Sequence, residues 1–340
     1  MFGGSRLATL LVAVAKAVGR AEIAPPPNVG GAVDCLRTLS DGNFAVQFTR
    51  QPGATEAPCS RQLSWTVHGA HDCAISRFSA SHFIQVMAGR TLFMVGDSLM
   101  RQLYAELCGL LKPFSVTKIA NVTNSDDYHG KGGLQIGCQA YMSAVIVCFC
   151  AAAFRSVDPN MDLFSRAGPG LLRHTLTSSD IVVWNMGVHY GQDPDSLRQY
   201  ADLVEHVVAD WAPDAAGLPQ LWWRETMAQH FAHSVWEGKV EHGCHDIAGM
   251  TANFANTTGP YNDASAPIIR RFGLVTVRTY RESVPLVYAH RPHDCTHYCE
   301  GDMGPDRFDA ELLLTMLKAD QSQRVARGAD APSTAAGALA

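Results

Sequence analysis

The feature that most constrains this chain is the stretch 91–111, which reads TLFMVGDSLMRQLYAELCGLL. It opens with an apolar run typical of a buried central strand, and after Gly96, Asp97 and Ser98 its leucines recur at helical spacing. A strand that turns directly into a helix leaves Ser98 at the helix N-terminus, where free N–H groups and the dipole favour developing negative charge. A serine nucleophile that attacks an ester needs this setting. Taken alone, the tripeptide is better explained as a helix cap, so a catalytic interpretation needs partners elsewhere.

The size and charge of the chain exclude some functions. At 340 residues it can form one large α/β domain or two small ones. Its net charge of −5 is spread along the sequence without runs of lysine or arginine, which argues against nucleic acid as a partner.

The N-terminus predicts entry into the secretory pathway. Arg6 precedes a short apolar run, so residues 1–21 are interpreted as a signal peptide or a short signal anchor at the membrane, with cleavage favoured by the shortness of the run. Asn121 and Asn256 lie in Asn-x-Ser/Thr acceptor sites for glycosylation. Ten cysteines in such a chain are expected to form disulfides rather than to remain free thiols.

The remaining residues divide into four segments. A proline- and glycine-rich linker is expected at 22–34, a loop-rich and disulfide-tied cap at 35–78, and a disordered tail at 320–340. Between them, at 79–319, strands alternate with helices, which indicates an α/β domain with a mostly parallel sheet covered on both faces. Beyond the opening stretch, the predicted strands are 143–149, 181–184, 221–224 and 274–277. The predicted helices are 161–176, 195–211 and 306–318, and a surface loop is predicted at 121–137.

A short motif near the C-terminus can supply the partners that Ser98 needs. Asp294 precedes His297 by three residues, so its carboxylate can bind one ring nitrogen and leave the other to take a serine proton. Such loops gather at the carboxyl ends of the strands in α/β sheets, where Ser98 also lies. Asn185, directly after a predicted strand, can supply a second donor to an oxyanion, although a turn residue explains it at least as well.

The same region also contains residue types that bind zinc. The pool of histidines and cysteines comprises His242, Cys244, His245, His290, His293, Cys295, His297 and Cys299. The chain has no CxxC pair and no HExxH motif, and an oxidising lumen favours disulfides over thiolate ligands. We therefore expect no metal site.

The blocks that carry these residues resemble those of a known family. GRTLFMVGDSLMRQL is similar to the GDS block of the plant trichome-birefringence-like proteins and their PC-esterase relatives in the SGNH/GDSL superfamily. DCTHYCEGDMGPDRFDAELLLTML resembles the Asp-x-x-His block of that family. DIVVWNMGVHY and WWRETMAQHF resemble its Asn-x-Gly strand and its Arg-Thr…His-Phe block, and CLRTLSDGNFAV and CAISRF resemble its cysteine-bearing segments. The resemblance extends in order over residues 35–318.

The resemblance implies a three-layer α/β/α SGNH fold and a serine-dependent O-acyltransferase, most often an O-acetyltransferase, that acts on a polysaccharide or glycan in the Golgi lumen or as a secreted protein. It makes Ser98 the nucleophile, His297 the general base and Asp294 the orienting acid. The backbone N–H of Ser98 and the side chain of Asn185 become the oxyanion donors. It implies no permanently bound cofactor, with an acyl donor as co-substrate. The alternatives are a carbohydrate O-acetylesterase with the same triad and a catalytically silent glycan-binding protein.

Other residues are substrate-binding candidates. His189 lies in Val188-His189-Tyr190, where plant members of the family commonly read His-Trp-Trp, so the glycan specificity is expected to differ. Arg224 can hold a carboxylate or a sugar at a strand end, or form a structural ion pair. Trp222 and Trp223 can stack on sugars, although core packing explains at least one of them better. The matching blocks also suggest the disulfides Cys35–Cys73, Cys59–Cys108 and Cys244–Cys295, and they leave Cys138, Cys148, Cys150 and Cys299 unassigned.

Overall fold

The structure is a computed structural model that describes residues 32–42, 44–50, 59, 63–68, 73–122, 135–151, 176–211, 217–231, 243–247 and 259–326. The predicted signal segment, most of the predicted linker, the helix predicted at 161–176 (apart from Leu176), His242 and the acceptor Asn256 lie outside these residues. Among the helices that the structure describes, none is long and apolar enough to cross a membrane.

The described chain forms an α/β structure. Its strands are β1 Ala45–Arg50, β2 Leu63–His68, β3 Thr91–Gly96, β4 Ser115–Val122, β5 Gln135–Tyr141, β6 Val145–Ala151, β7 Ile181–Trp184, β8 Gln220–Arg224 and β9 Val275–Val277. Its α-helices are α1 Ala32–Ser40, α2 Ala80–Val86, α3 Ser98–Leu111, α4 Pro194–Trp211, α5 Pro260–Arg271, α6 Tyr280–Ser283 and α7 Asp306–Ala326. Short 3-10 turns cover Lys112–Phe114, Met142–Ala144, Val287–Ala289 and Gly301–Met303.

Seven strands form one mostly parallel sheet, as predicted, in the order β4-β5-β6-β3-β7-β8-β9. β3 lies at its centre and pairs in parallel with β6 and β7, while β5 runs antiparallel to both of its neighbours. Every residue of β3 and β7 is buried, which explains why their sequences are continuous apolar runs rather than alternating ones.

Helices cover both faces of the sheet because successive side chains of a strand point to opposite faces. Leu92 and Met94 of β3 pack in one apolar cluster with α1, α2, α3 and α7. Phe93 and Val95 of β3 pack in a second cluster with α4 and α5. The sheet therefore lies between two helical layers.

The N-terminal segment differs from the loop-rich cap that the sequence predicts. Helix α1 begins inside the predicted linker, and β1 and β2 form a two-stranded antiparallel ribbon. Leu36 and Leu39 are buried in the same cluster as the sheet, and Trp65 of the ribbon packs edge-on against Phe308 of α7. The segment is thus part of the main core, because the apolar residues of α1 recur at helical spacing and need a partner surface.

Three further boundaries differ from the prediction. β4 and β5 extend into both ends of the predicted loop 121–137, and β4 includes the acceptor Asn121. β6 begins at Val145 rather than at 143, because Ser143 and Ala144 adopt positive φ angles of 59° and 55° that turn the chain. Helix α7 continues to Ala326, into the segment predicted to be disordered.

Four disulfides join the described cysteines. The predicted pairs Cys35–Cys73 and Cys244–Cys295 are present, and Cys138–Cys148 joins residues that face each other on β5 and β6. The predicted Cys59–Cys108 pair is wrong, since Cys59 is bonded to Cys299. Cys108 has a free thiol that hydrogen-bonds with Tyr104 and Tyr141, and Cys150 is free and buried. Four disulfides are typical of a protein that matures in an oxidising, secretory or extracellular environment.

Candidate active site

Ser98 occupies the first position of α3, directly after the central strand β3. Asp97 caps this helix, since its Oδ1 accepts a hydrogen bond from the Leu99 N–H at 3.0 Å. Gly96 is required at the turn, because a Cβ there would collide with the carbonyl oxygen of Asn185. As a first-turn amide, the N–H of Ser98 has no acceptor within its own helix, so it is available to a developing oxyanion.

The structure brings the three predicted triad residues together. His297 Nε2 lies 2.6 Å from Ser98 Oγ, and His297 Nδ1 lies 2.6 Å from Asp294 Oδ2. The imidazole thus bridges the hydroxyl and the carboxylate, and each ring nitrogen has the partner that its role in a triad requires. This geometry allows His297 to take the Ser98 proton while Asp294 stabilises the resulting imidazolium.

Asp294 is held as a carboxylate. Burial alone would raise its pKa, but the hydrogen bonds from the His297 side chain and from the backbone N–H groups of His297 and Thr296 outweigh this effect and hold the pKa far below its usual value. Both backbone donors lie 2.9 Å from Asp294 Oδ1. The other carboxylate oxygen therefore remains directed at the imidazole, which fixes the ring in the tautomer that leaves Nε2 free to accept a proton.

The catalytic loop, residues 290–299, is held at both of its ends. A β-bridge joins His290 to Tyr298, and the N–H of Cys299 donates to the carbonyl of Ala289 at 2.7 Å. Disulfides tie Cys295 to Cys244 and Cys299 to Cys59. Asp294 and His297 therefore lie on a loop that two covalent links connect to different parts of the chain.

Gln102 attaches this loop to the helix that carries the nucleophile. Its side-chain amide donates to the carbonyl of Tyr298 at 2.8 Å. No sequence motif marks Gln102, although its position four residues after Ser98 places both side chains on one face of α3. The relative position of Ser98 and His297 thus depends on this contact.

The N-terminal ribbon also contributes to the surroundings of the site. Leu63 of β2 packs in one apolar cluster with Leu99, which follows the nucleophile, and Tyr298, which follows His297. Val188 and Met227 complete the same side of this cluster. Apolar packing next to the triad strengthens its electrostatic interactions by excluding water.

The predicted oxyanion role of the Asn185 side chain is wrong. Asn185 is fully buried, and its Nδ2 donates to the carbonyl of Arg224 at 2.9 Å and to Thr226 Oγ1 at 3.1 Å. Both amide hydrogens are thus used to join the end of β7 to the end of β8. No hydrogen on this side chain remains to donate to an oxyanion, whereas the Ser98 N–H has no acceptor within its own helix.

The substrate-binding prediction for Arg224 is also wrong, and the structural ion pair is what the structure shows. Its guanidinium is fully buried and donates twice to Asp309 of α7, with Asp306 at 3.8 Å. Burial opposes the charge, but the two carboxylates outweigh it and raise the pKa of Arg224. The cation therefore links the sheet to α7 and does not reach the cleft.

The remaining candidates divide between core and surface. Trp222 and Trp223 are both buried, and they pack on opposite faces of the sheet. His189 is exposed on the turn after β7, at the carboxyl edge of the sheet, where it is accessible to a ligand. Of the sulfur ligands in the zinc alternative, Cys244, Cys295 and Cys299 are all consumed in disulfides and are not available as thiolates.

The site as a whole is a buried serine, an imidazole and a carboxylate joined by short hydrogen bonds at the N-terminus of a helix. Such an arrangement can perform nucleophilic acyl transfer. No model of a known protein family matches the chain, and no curated protein is significantly similar to it.

Proposed function

We propose that this protein is a serine-dependent O-acyltransferase of the SGNH/PC-esterase type that transfers an acetyl group to a polysaccharide or glycan. The observation that carries the proposal is the continuous hydrogen-bonded chain from Ser98 through His297 to Asp294. The order of the family-like blocks and the α/β sheet between two helical layers support it. The disulfides and the N-terminal segment agree with action in the Golgi lumen or after secretion.

The reaction proceeds in two balanced steps. Ser98 Oγ attacks the ester carbonyl of the acyl donor while His297 Nε2 takes the proton of the Ser98 hydroxyl. The oxyanion that forms accepts a hydrogen bond from the backbone N–H of Ser98. Collapse of the tetrahedral intermediate breaks the donor ester bond, and the leaving alcohol takes the proton from His297. A glycan hydroxyl then gives its proton to His297, attacks the acyl-serine and releases Ser98, which recovers its proton from His297.

Hydrolysis is the second candidate, with water in place of the glycan hydroxyl. The His297 side chain is 25% exposed, so solvent can reach the general base. A carbohydrate O-acetylesterase would use the same residues in the same roles. The intact triad argues against the third alternative, a catalytically silent glycan-binding protein.

The deciding experiment offers the purified protein an activated acetyl ester with and without a panel of glycans, and follows the acetyl group by mass spectrometry. Acetylated glycan indicates a transferase, and free acetate alone indicates an esterase. Ser98→Ala should abolish both products while it costs only about 1 kcal/mol of stability, the value of the lost hydrogen bond.

Ser196→Ala is the matched control, because Ser196 also lies in the first turn of a helix but its hydroxyl donates to Asp193, which directly precedes α4. This variant should keep wild-type activity. Retention of most activity by Ser98→Ala would exclude the serine mechanism.

A further inference from the structure

Two buried histidines lie directly behind the catalytic loop. His290 begins the loop, and His230 belongs to the segment that follows β8. Their side chains are 3% and 0% exposed, and His230 Nδ1 lies 2.7 Å from His290 Nε2. This is a hydrogen-bond distance between two groups that the triad does not use.

The other nitrogen of each ring faces a backbone carbonyl. His230 Nε2 lies 2.8 Å from the oxygen of Val284, and His290 Nδ1 lies 3.0 Å from the oxygen of His297. A carbonyl oxygen only accepts hydrogen bonds, so both of these outer nitrogens must carry a hydrogen.

A neutral imidazole carries a single N–H. If both rings were neutral and kept their bonds to the carbonyls, His230 Nδ1 and His290 Nε2 would direct lone pairs at each other across 2.7 Å. The series of three hydrogen bonds is complete only when one additional proton lies between the rings. The observed geometry is therefore that of a pair that holds three hydrogens rather than two.

The far end of this series is the main chain of the general base. The carbonyl of His297 accepts from His290 Nδ1 and from the N–H of Arg291 at 3.1 Å. The backbone N–H of His230 also donates to the carbonyl of Cys295, within the same loop, at 2.9 Å. When the pair loses its proton, one ring must change tautomer. Either the carbonyl of His297 then loses one of its two donors, or the carbonyl of Val284 loses the hydrogen bond from His230.

We propose that His230 and His290 share one proton, and that this proton positions the general base by completing the hydrogen bond to the main chain of His297. Both histidines are positioning residues, because they act through the loop and do not contact the reacting atoms. The effect on activity rests on the proposed function, whereas the shared proton itself does not.

The direction of the pH dependence follows from the surroundings of the pair. Burial lowers the pKa of both imidazoles, and for His290 the neighbouring His230 lowers it further. The hydrogen bonds to the two carbonyls and the charges of Asp246 and Asp294 act in the opposite direction but do not offset burial, so both pKa values are lowered, that of His290 to about 3. The other titratable and charged groups on α6, on the segments 225–231 and 243–247 and on the catalytic loop are Glu225, His245, Tyr280, Arg281, Glu282, Arg291, His293, His297 and Tyr298.

The proton is thus held at low pH and lost as the pH rises through the pKa of the pair. A Ser-His-Asp triad alone gains activity as its histidine is deprotonated and then stays active. The shared proton adds a decline in activity as the pH rises, which we call the alkaline decline. Because the pKa of both imidazoles is lowered, this decline begins at acidic pH.

The first measurement detects the proton in the full chain labelled with ¹⁵N-histidine. At low pH we expect one exchange-protected, downfield ring proton correlated with nitrogens of both His230 and His290, and its loss in a single transition as the pH rises. His82→Asn, at an exposed position on α2, is the control and should leave these signals in place. Two rings that are neutral at every pH at which the protein is folded, or that titrate independently, would overturn the proposal.

The second measurement is the pH profile of acyl transfer or hydrolysis. His290→Asn places an amide nitrogen near the position of His290 Nδ1, so it keeps a donor for His297 that does not titrate. This variant should stay within about threefold of the wild-type optimum and lose the alkaline decline. His290→Leu removes the side-chain donor and leaves only the N–H of Arg291 on this carbonyl, so the variant should be at least about tenfold less active across the range, because small displacements of a catalytic group are costly.

The two measurements separate the possible failures. A decline that persists in His290→Asn, or a wild-type profile in His290→Leu, would overturn the positioning role. If the wild-type protein neither transfers nor hydrolyses acyl groups, the proposed function fails while the ring signals still decide whether the proton is shared.

Discussion

The disulfide between Cys244 and Cys295 offers the sharpest test of how the active site is held. Cys295 lies between Asp294 and His297, so this bond fixes the centre of the catalytic loop to the segment 243–247. We consider the double variant Cys244→Ser/Cys295→Ser, which removes the bond without leaving an unpaired thiol.

The expected loss of stability follows from the size of the closed loop. The two cysteines are 51 residues apart, and the chain-entropy estimate for a loop of this size is roughly 4 kcal/mol. The expected loss of activity has a different cause. The carbonyl of Cys295 still accepts the N–H of His230, so the loop stays near its place while the ring of His297 gains freedom. A displacement of about 1 Å in a catalytic group costs about a hundredfold in rate, so we expect activity to fall by about tenfold to a hundredfold.

The Cys138–Cys148 bond is the matched control. It closes a separation of only 10 residues between β5 and β6 and has no contact with the loop, so Cys138→Ser/Cys148→Ser should cost roughly 3 kcal/mol by the same estimate. Its initial rate should equal that of the wild type under conditions in which the protein is folded. Two quantities are measured for each variant: the free energy of unfolding in denaturant and, separately, the initial rate of the reaction without denaturant.

Two results would refute this reasoning. If the variant that lacks Cys244–Cys295 unfolds more easily but keeps its activity within twofold, the remaining contacts of the loop are sufficient to hold His297. If the control variant loses as much activity, the effect comes from the whole fold rather than from the loop.

Two other substitutions test the buried surroundings of the site. Arg224→Met leaves Asp309 buried without its counter-charge and should cost about 3–5 kcal/mol, most of which the double variant Arg224→Met/Asp309→Leu should recover. Burial raises the pKa of Asp309, and the loss of Arg224 raises it further. In denaturant unfolding, Arg224→Met should therefore lose less unfolding free energy near pH 4 than near pH 7. An equal loss at both pH values would contradict the buried ion pair. Gly96→Ala should destabilise the protein by about 1–3 kcal/mol and lower activity, because the new methyl group meets the carbonyl of Asn185. Gly109 lies in the same helix as Ser98, and a Cβ added there would meet no neighbouring atom within 4 Å, so Gly109→Ala should instead be neutral or stabilising. Similar unfolding curves for the two variants would show that the turn after β3 is not crowded.

Local patterns predicted most elements of the sheet and the three residues of the triad. The apolar runs of β3 and β7 predict buried parallel strands, because such strands have no solvent-facing side. The spacing of Asp294 and His297 predicts their contact, because three residues form a single turn. The buried strands and the Asp294–His297 contact depend on neighbours in the chain, so the sequence is sufficient for them. The contact of His297 with Ser98 joins residues 199 positions apart and was expected from the arrangement of loops in α/β sheets.

Sequence patterns were less informative where polar residues form structure. β4 and β5 mix apolar and polar residues and flank a polar, glycine-rich loop, and their pairing depends on the ladder with β6 rather than on a local signal. Helix α1 was not predicted because its apolar face is short, and this face is buried only through contacts with α7 and the sheet. Both errors reflect tertiary contacts that override weak local preferences.

The roles of Asn185, Arg224 and Cys59 were decided by the tertiary structure alone. Asn185 and Arg224 lie at strand ends, where a polar side chain can turn either towards the cleft or into the protein, and Cys59 can pair with more than one other cysteine. The sequence is the same in every case. The choice depends on which distant group offers a partner, namely the carbonyl of Arg224, the carboxylate of Asp309 and the sulfur of Cys299. Contacts within one turn of the chain were thus determined by the sequence itself, whereas pairings between residues far apart in the sequence were determined by the packing that brings them together.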